Sequence, residues 1–373
     1  VRPRLLLVGR RRYRLPLPTS EQRKFDAMSG ELDLRVLASG VVDSPTRDAT
    51  FTLVPPLRPR LLDGLAYHVR LPFLVARELR TFEPDAVLVQ GAHEAASTLF
   101  GRRLARSGAK VILDVHGDWR TATRLYGSST RRVLNPVADR IASWSVRRVD
   151  AVRTVSDFTT GIVRELGVEP AATFPAFMDL DPFLTPPVPL PERPVALFVG
   201  ALELYKGLDL LVDAWPIVAE RVPDAELRLI GAGAREDLAR LLVERGPRVT
   251  WESGLAPEEV AAELDRATVL VLPSRREGMG RVVVEAFCRG RAVVGTRGGG
   301  IEDLVRDGEN GLLVPPDDAG ALARALVNVM STRERAASLG FVAREGSEQW
   351  YATPEEYAAR IRALVVDSEE PGG

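Results

Sequence analysis

Two carboxylates eight residues apart, Glu277 and Glu285, lie in the segment REGMGRVVVEAFCRG, residues 276–290. Glycines 278 and 280 follow the first, and the apolar run 282–284 precedes the second. A carboxylate can accept hydrogen bonds from two vicinal hydroxyls at once, so each glutamate suits one sugar ring. A glycine turn that opens a helix leaves first-turn N–H groups without intrahelical acceptors, and these suit phosphate oxygens. A ligand with a phosphate and two sugars fits that layout: amides on the phosphate, Glu277 on one sugar, Glu285 on the other. A solvated loop glutamate and a helix-surface glutamate are the plainer alternative that the pair alone leaves open.

Other residues add candidate chemistry. Of 50 basic residues only Lys24, Lys110 and Lys206 are lysines. Lys206 stands just before Gly207 at a strand-to-helix turn, where a compact point charge is useful; a chance surface lysine is the rival reading. His116 follows a strand end in DVHGD, in a chain with two other histidines, and a lone histidine is more often structural. Arg10, Arg11, Arg12 and Arg14 follow the first strand. They suit either an acceptor phosphate or a solvated basic loop. No carboxylate or histidine cluster has ligand spacing, so no metal is expected. Asp179-Leu180-Asp181 reads as structural beside a proline-rich stretch, and GAGA (231–234) lacks the third glycine of a dinucleotide motif. Cys288 is the single cysteine, which excludes an intrachain disulfide and fits a small core residue.

A chain of 373 residues, 45% hydrophobic and 27% charged, is globular and too long for one ordinary core. Apolar runs rich in Val, Leu and Ile predict parallel strands buried on both faces, at 4–9, 85–90, 110–115 and 150–156, then 195–200, 226–231, 268–273 and 291–296. Helical patterns such as 208–222 and 257–267 fall between them. The fold class is α/β, with two Rossmann-like doubly wound domains facing a cleft. Six prolines between Pro182 and Pro194 mark an extended connector, which sets the expected domains at 1–184 and 185–345, with a C-terminal helix and tail over 346–373. That tail reads as a helix from 347 to 367, with Trp350 and Tyr357 as packing anchors.

The net charge of −1 is uneven: residues 1–184 carry +8 and the remainder −9. The basic half is expected to meet something anionic. No run approaches the ~18 apolar residues of a bilayer span, and the N-terminal apolar stretch is too short for a signal peptide. These point to a cytoplasmic protein that can work at a membrane surface. The stretch 61–80 mixes apolar residues with arginines and suits either an anionic membrane or an ordinary helix packed on its sheet.

The segment PSRREGMGRVVVEAFCRGRAVVGTRGGGIEDLVRDGENGLLVPPDD (273–318) resembles the signature region of retaining, nucleotide-sugar-dependent glycosyltransferases of family 4. Upstream, LFVGALELYKGLDLLVDAW extends the likeness, and ILDVHGDWR and DAVRTVS carry it into the first half. The resemblance implies the GT-B fold and a C-terminal helix returning to the N-terminal domain. It also implies transfer of a sugar from a nucleoside diphosphate with retention, plausible in cell-envelope or exopolysaccharide synthesis. By that resemblance Glu285 binds the nucleotide ribose, and Glu277 with Gly278, Met279 and Gly280 holds the donor sugar. Lys206 neutralises the diphosphate beside Gly200, and His116 faces the donor sugar. The implied partner is the nucleotide-sugar donor, with no nucleic acid, cofactor or metal; the basic first half and Arg10, Arg11 and Arg12 point, beside it, to an anionic lipid-linked or membrane-surface acceptor. Three departures stand out. Ala201 replaces the family's usual arginine, so that either Lys206 acts alone or Arg281 contributes; the first strand lacks a glycine-rich turn; and GGIED carries Glu302 where proline is common, with Asp303 replacing the glutamate. A nucleotide-sugar epimerase or a non-catalytic binding subunit are the competing functions.

Overall fold

A computed structural model describes residues 2–56, 60–120 and 129–366. The chain divides into two compact units, Val1–Phe177 with Ala352–Gly373, and Met178–Tyr351.

The N-terminal unit is built on a parallel sheet of seven strands in the order β3-β2-β1-β4-β5-β6-β7. These are β1 (Arg4–Tyr13), β2 (Asp33–Gly40), β3 (Phe51–Val54), β4 (Ala86–Gln90), β5 (Lys110–Val115), β6 (Ala151–Thr154) and β7 (Ala172–Thr173). Leu6, Val8, Val87, Val111 and Leu113 face one core, under α2 (Arg60–Thr81), α3 (Ala92–Ala105), α4 (Ser129–Val146) and α5 (Asp157–Arg164). Leu5, Leu7, Leu88 and Ile112 face the other core, covered by α1 (Thr19–Glu31) and the last helix of the chain. Alternate residues of one strand thus enter opposite cores, which explains the unbroken apolar runs.

The C-terminal unit repeats the plan with six parallel strands in the order β10-β9-β8-β11-β12-β13. They are β8 (Val195–Val199), β9 (Glu226–Ile230), β10 (Val249–Glu252), β11 (Val269–Leu272), β12 (Ala292–Thr296) and β13 (Gly311–Val314). The connecting helices are α6 (Leu208–Arg221), α7 (Glu236–Arg245), α8 (Pro257–Asp265), α9 (Arg281–Cys288), α10 (Ala319–Met330) and α11 (Arg333–Glu345). In both sheets the strand order reverses between the first and fourth strands, and ligands of such sheets bind beyond the carboxyl ends at that switch point.

Three features differ from the sequence reading. First, β1 runs four residues further, to Tyr13, with a register irregularity between Val8 and Arg12, so Arg10, Arg11 and Arg12 lie in a strand rather than a loop, and Arg14 just follows it. Second, the proline stretch belongs wholly to the C-terminal unit. Prolines leave carbonyls without a ladder, and the buried Arg289 and Arg291 satisfy those of Thr185 (2.6 Å) and Val188 (3.1 Å). Arg333 does the same for Leu190, at 2.5 Å. Third, the tail helix, α12 (Pro354–Val366), begins later than expected. A reciprocal pair of hydrogen bonds between Thr353 and Glu356 caps it. Tyr357 is buried, whereas Trp350 lies in a short 3-10 turn, Glu348–Trp350, and is half-buried. Residue 367 lies outside the described residues. The helix packs on α1, as the expected return to the N-terminal domain requires.

Candidate active site

After β8 the chain passes Gly200 and makes a 3-10 turn, Leu204–Lys206. Gly207 closes that turn at φ 70°, and a Cβ there would fall 2.0 Å from the carbonyl oxygen of Pro273. Only glycine allows this approach, and it seats Lys206 against the loop that follows β11. There the ammonium forms an ion pair with the Glu277 carboxylate, which also accepts from Ser274 Oγ at 2.9 Å. Lys206 and Glu277 keep 12% and 11% of their side chains exposed. The pair is therefore weakly screened yet reachable.

The Glu277 backbone is held by the glycines of the next loop. Gly300 N–H donates to the Glu277 carbonyl at 2.9 Å, and a Cβ on Gly299 (φ 127°) would reach 2.5 Å from the same oxygen. Glu302 fits here too, since its carboxylate accepts from Gly298 N–H at 2.5 Å. Met279 is buried, so it offers the site its backbone alone. Gly280 then starts α9 in the left-handed region, at φ 79°. One turn on, Glu285 is mostly buried beside Arg281, 4.0 Å away. Burial pushes the Glu285 carboxyl above its ordinary range, against the pull of Arg281.

The chain thus brings Lys206, Glu277, Gly200 and the 278–280 turn to the β8–β11 switch point, with Glu285 on the helix that follows. His116 and the arginine cluster belong to the other unit. His116 sits at the end of β5, with Nε2 2.7 Å from the fully buried Asp114. Asp114 also pairs with the fully buried Arg153, whose guanidinium bonds the carbonyls of Phe174 and Pro175 at 2.6 Å and stacks 4.0 Å from the Phe174 ring. Burial alone would raise the Asp114 carboxyl, but Arg153 and His116 overcome it and hold the group far below the usual carboxylate range. His116, with two-fifths of its side chain exposed, is oriented by a rigid buried anion. Arg10 and Arg12 approach Asp63 at 3.9 and 3.3 Å, and Arg11 pairs with Glu21. They lie on β1, separated from His116 by β4.

Comparison with known proteins identifies the family. Residues 193–332 match the family described as "Glycosyl transferases group 1", and residues 30–181 match "Glycosyltransferase Family 4". Over 284 residues the chain is 30% identical to the GDP-mannose-dependent alpha-(1-6)-phosphatidylinositol monomannoside mannosyltransferase of Mycolicibacterium smegmatis, covering 70% of this chain and 72% of that protein. This chain belongs to glycosyltransferase family 4. It is 36% identical over 196 residues to the D-inositol 3-phosphate glycosyltransferase of Corynebacterium aurimucosum, covering 49% of this chain and 46% of that one. Sucrose-phosphate synthase from Thermosynechococcus elongatus shares the fold at TM-score 0.76 and 19% identity, over 97% of this chain and 98% of that one. The two Rossmann-like units are those of the GT-B fold, and the family is a retaining, nucleotide-sugar-dependent one of hexosyltransferase type.

Three residues of the glycosyltransferase escaped the sequence reading. Arg275 donates to both oxygens of Asp209 (2.9 and 2.7 Å), to Asp317 at 2.6 Å and to the Leu204 carbonyl at 2.7 Å. It clamps the Lys206 turn to the Glu277 loop. Ser274, fully buried, orients Glu277. In a chain this rich in arginine nothing marks Arg275 as different, and Asp209 looks like an ordinary acidic residue in the first turn of α6. Among the described residues no three His, Cys, Asp or Glu are placed to hold a metal ion.

Proposed function

We propose that this glycosyltransferase moves a hexosyl group from a nucleoside diphosphate sugar to an anionic, lipid-linked acceptor at the inner face of a membrane. The observation that carries the donor assignment is the Lys206–Glu277 ion pair, held between two glycine-dependent loops at the switch point. In this reading Lys206 exchanges Glu277 for the diphosphate and stabilises the departing charge. Glu277, released from the ammonium, takes the hydroxyls of the donor sugar with the amides of Gly278, Met279 and Gly280. Glu285 takes the ribose, and Arg281 lends a second positive charge where Ala201 has none. No side chain of this loop is a free nucleophile against the sugar, so a front-face displacement with the leaving phosphate as base fits the residues present. His116, aligned by Asp114, contributes a hydrogen bond to the sugar from the N-terminal unit.

The acceptor assignment is supported by the +8 charge of residues 1–184 and by relatives whose names specify phosphatidylinositol monomannoside. It is tested by incubating the purified chain with UDP-, GDP- and ADP-sugars, with and without a lipid extract. Transfer into the lipid fraction that is lost in Lys206→Ala supports the reading. Transfer to a neutral water-soluble acceptor alone would refute the lipid part.

A further inference from the structure

On α2, Leu65, Val69 and Phe73 recur every four residues and are all exposed, Phe73 at 63%. On α3 the exposed apolar pair is Phe100 and Leu104, again four apart. On α4 the outward line is Val137, Ile141 and Trp144. Each spacing is that of a single helical face. The three faces adjoin, because α2 packs on α3 and α3 on α4. Gly101 makes the first contact close: a Cβ there would lie 2.7 Å from the Pro72 carbonyl oxygen and 3.0 Å from Val75. The buried Ser145 ties α4 to the start of α3, donating to the Ala92 carbonyl at 2.6 Å. Three stripes that would be ordinary singly thus lie on three helices packed side by side.

The rest of the molecule provides the control. On the opposite side of the same sheet, α1 and α12 present no exposed large apolar residue. On the helices of the C-terminal unit exposed large apolar residues occur singly, as with Ile217, Val243 and Phe341, the others being Leu184 and Val188 in the proline stretch. Scattered single residues need no explanation, whereas a joined patch does.

Among the described residues the fully exposed charged side chains of these helices are all arginines: Arg70, Arg77 and Arg80 on α2, Arg103 on α3 and Arg140 on α4. Of the described carboxylates of these helices none is fully exposed: Glu78 and Glu94 are buried, and Asp63 and Asp139 are half-buried. A second copy seated on this face by a twofold axis would set arginine against arginine. An anionic lipid surface complements both parts, taking the aromatic and aliphatic side chains among the acyl chains and pairing phosphates with the guanidinium groups. No described helix is long and apolar enough to cross a bilayer, so the contact is lateral.

We infer that the outward face of α2, α3 and α4 is the surface by which this chain docks on an anionic bilayer. The inference deepens the lipid-acceptor reading and rests on it, yet the two can fail separately, because docking is measured with no donor or acceptor present. The purified full chain is sedimented with vesicles of phosphatidylcholine, with and without phosphatidylglycerol. Wild type should sediment with the anionic vesicles and much less with the neutral ones. Two variants divide the surface, Phe73→Ser/Phe100→Ser/Trp144→Ser and Arg70→Ser/Arg103→Ser/Arg140→Ser. Each should weaken anionic-vesicle binding by about tenfold or more, and the second should also flatten its dependence on salt. Both should still bind nucleoside diphosphate as wild type does, which shows that they fold. Equal sedimentation of wild type and both folded variants would overturn the proposal. So would failure of wild type to bind anionic vesicles, or a wild-type dimer that the first variant dissolves.

Discussion

Lys206 and Glu277 in the C-terminal unit form an ion pair with about a tenth of each side chain open to solvent, whereas Asp114 and Arg153 in the N-terminal unit are sealed completely. The first pair is held from behind by backbone, through Gly207, Gly299 and Gly300. The second is held by other side chains and carbonyls, with the Phe174 ring over the guanidinium and Tyr357 further off at 5.9 Å. A charge meant to change partners must be reachable and lightly committed. A charge meant to orient a neighbour must be unable to leave. The contrast supports the proposed exchange at Lys206 and a fixed supporting role for Asp114, with His116 as the part of the second cluster that reaches solvent.

Removing the sealed anion should have the largest effect. Asp114→Ala strands a buried guanidinium and should cost about 3–5 kcal/mol of stability, measured by chemical denaturation. Nucleoside diphosphate binding by the C-terminal unit should persist under conditions where the variant remains folded. Acid should act in the same direction. Asp114 titrates below its ordinary range in the folded chain, so its contribution is complete above about pH 4. It should be lost as pH falls below that value, and Asp114→Ala should lack this part of the acid response. Equal acid sensitivity in both proteins would show that the cluster is not the group responsible.

Lys206→Ala should cost less stability than Asp114→Ala, because Glu277 keeps Ser274 and some solvent, and should lower transfer by on the order of a hundred- to a thousandfold. A folded variant with wild-type turnover would end the exchange argument.

Glu285→Gln sharpens the comparison, because binding and stability should move in opposite directions. Nucleotide affinity should weaken by about 1–3 kcal/mol in calorimetry, through loss of a charge-assisted hydrogen bond. Thermal stability at neutral pH should rise, since burial holds the folded carboxyl above its ordinary range. The stability lost by wild type as pH climbs from that ordinary range through the raised value should be absent from the variant. A fall in both quantities would mean that Glu285 is structural.

The smallest effect belongs to Arg10→Ser/Arg11→Ser/Arg12→Ser. Asp63 and Glu21 already offset these charges, and exposed pairs of this kind are worth about 0–1 kcal/mol each. The apparent acceptor KM should rise modestly and lose part of its salt dependence, with nucleotide affinity unchanged. Identical acceptor kinetics at every ionic strength would remove the cluster from the acceptor site.

The central strands and the glycine-flanked Glu277 loop were legible because their signals are local. A strand such as β5 is an unbroken apolar run, and the Glu277 loop places glycines and carboxylates within a few residues. What could not be read is long-range or disguised. Arg153 looks like a polar strand residue until Asp114, 39 positions earlier, is folded against it. The end of β1 is masked by three exposed arginines, and short edge strands such as β3 and β10 carry four residues each. Lysine scarcity pointed to Lys206, yet it would mark Lys24 equally. Lys24 lies over the Phe25 and Tyr357 rings, its pKa brought down to about 8 by burial and by Arg11. Rarity of a residue type selects for unusual surroundings, of which a substrate is one kind.

The path of the chain sets an order for its synthesis. The C-terminal unit is one continuous stretch, Met178–Tyr351, so every residue it needs has been translated before α12 is made. The N-terminal unit, begun first, must wait for α12 to cover Phe25 and Met28 of α1 and to bring Tyr357 towards Arg153. Domains on a nascent chain usually close from the N-terminus onward; here the unit begun first is completed only after the second has all its residues. Until α12 is translated, the side of this core that it covers stays open.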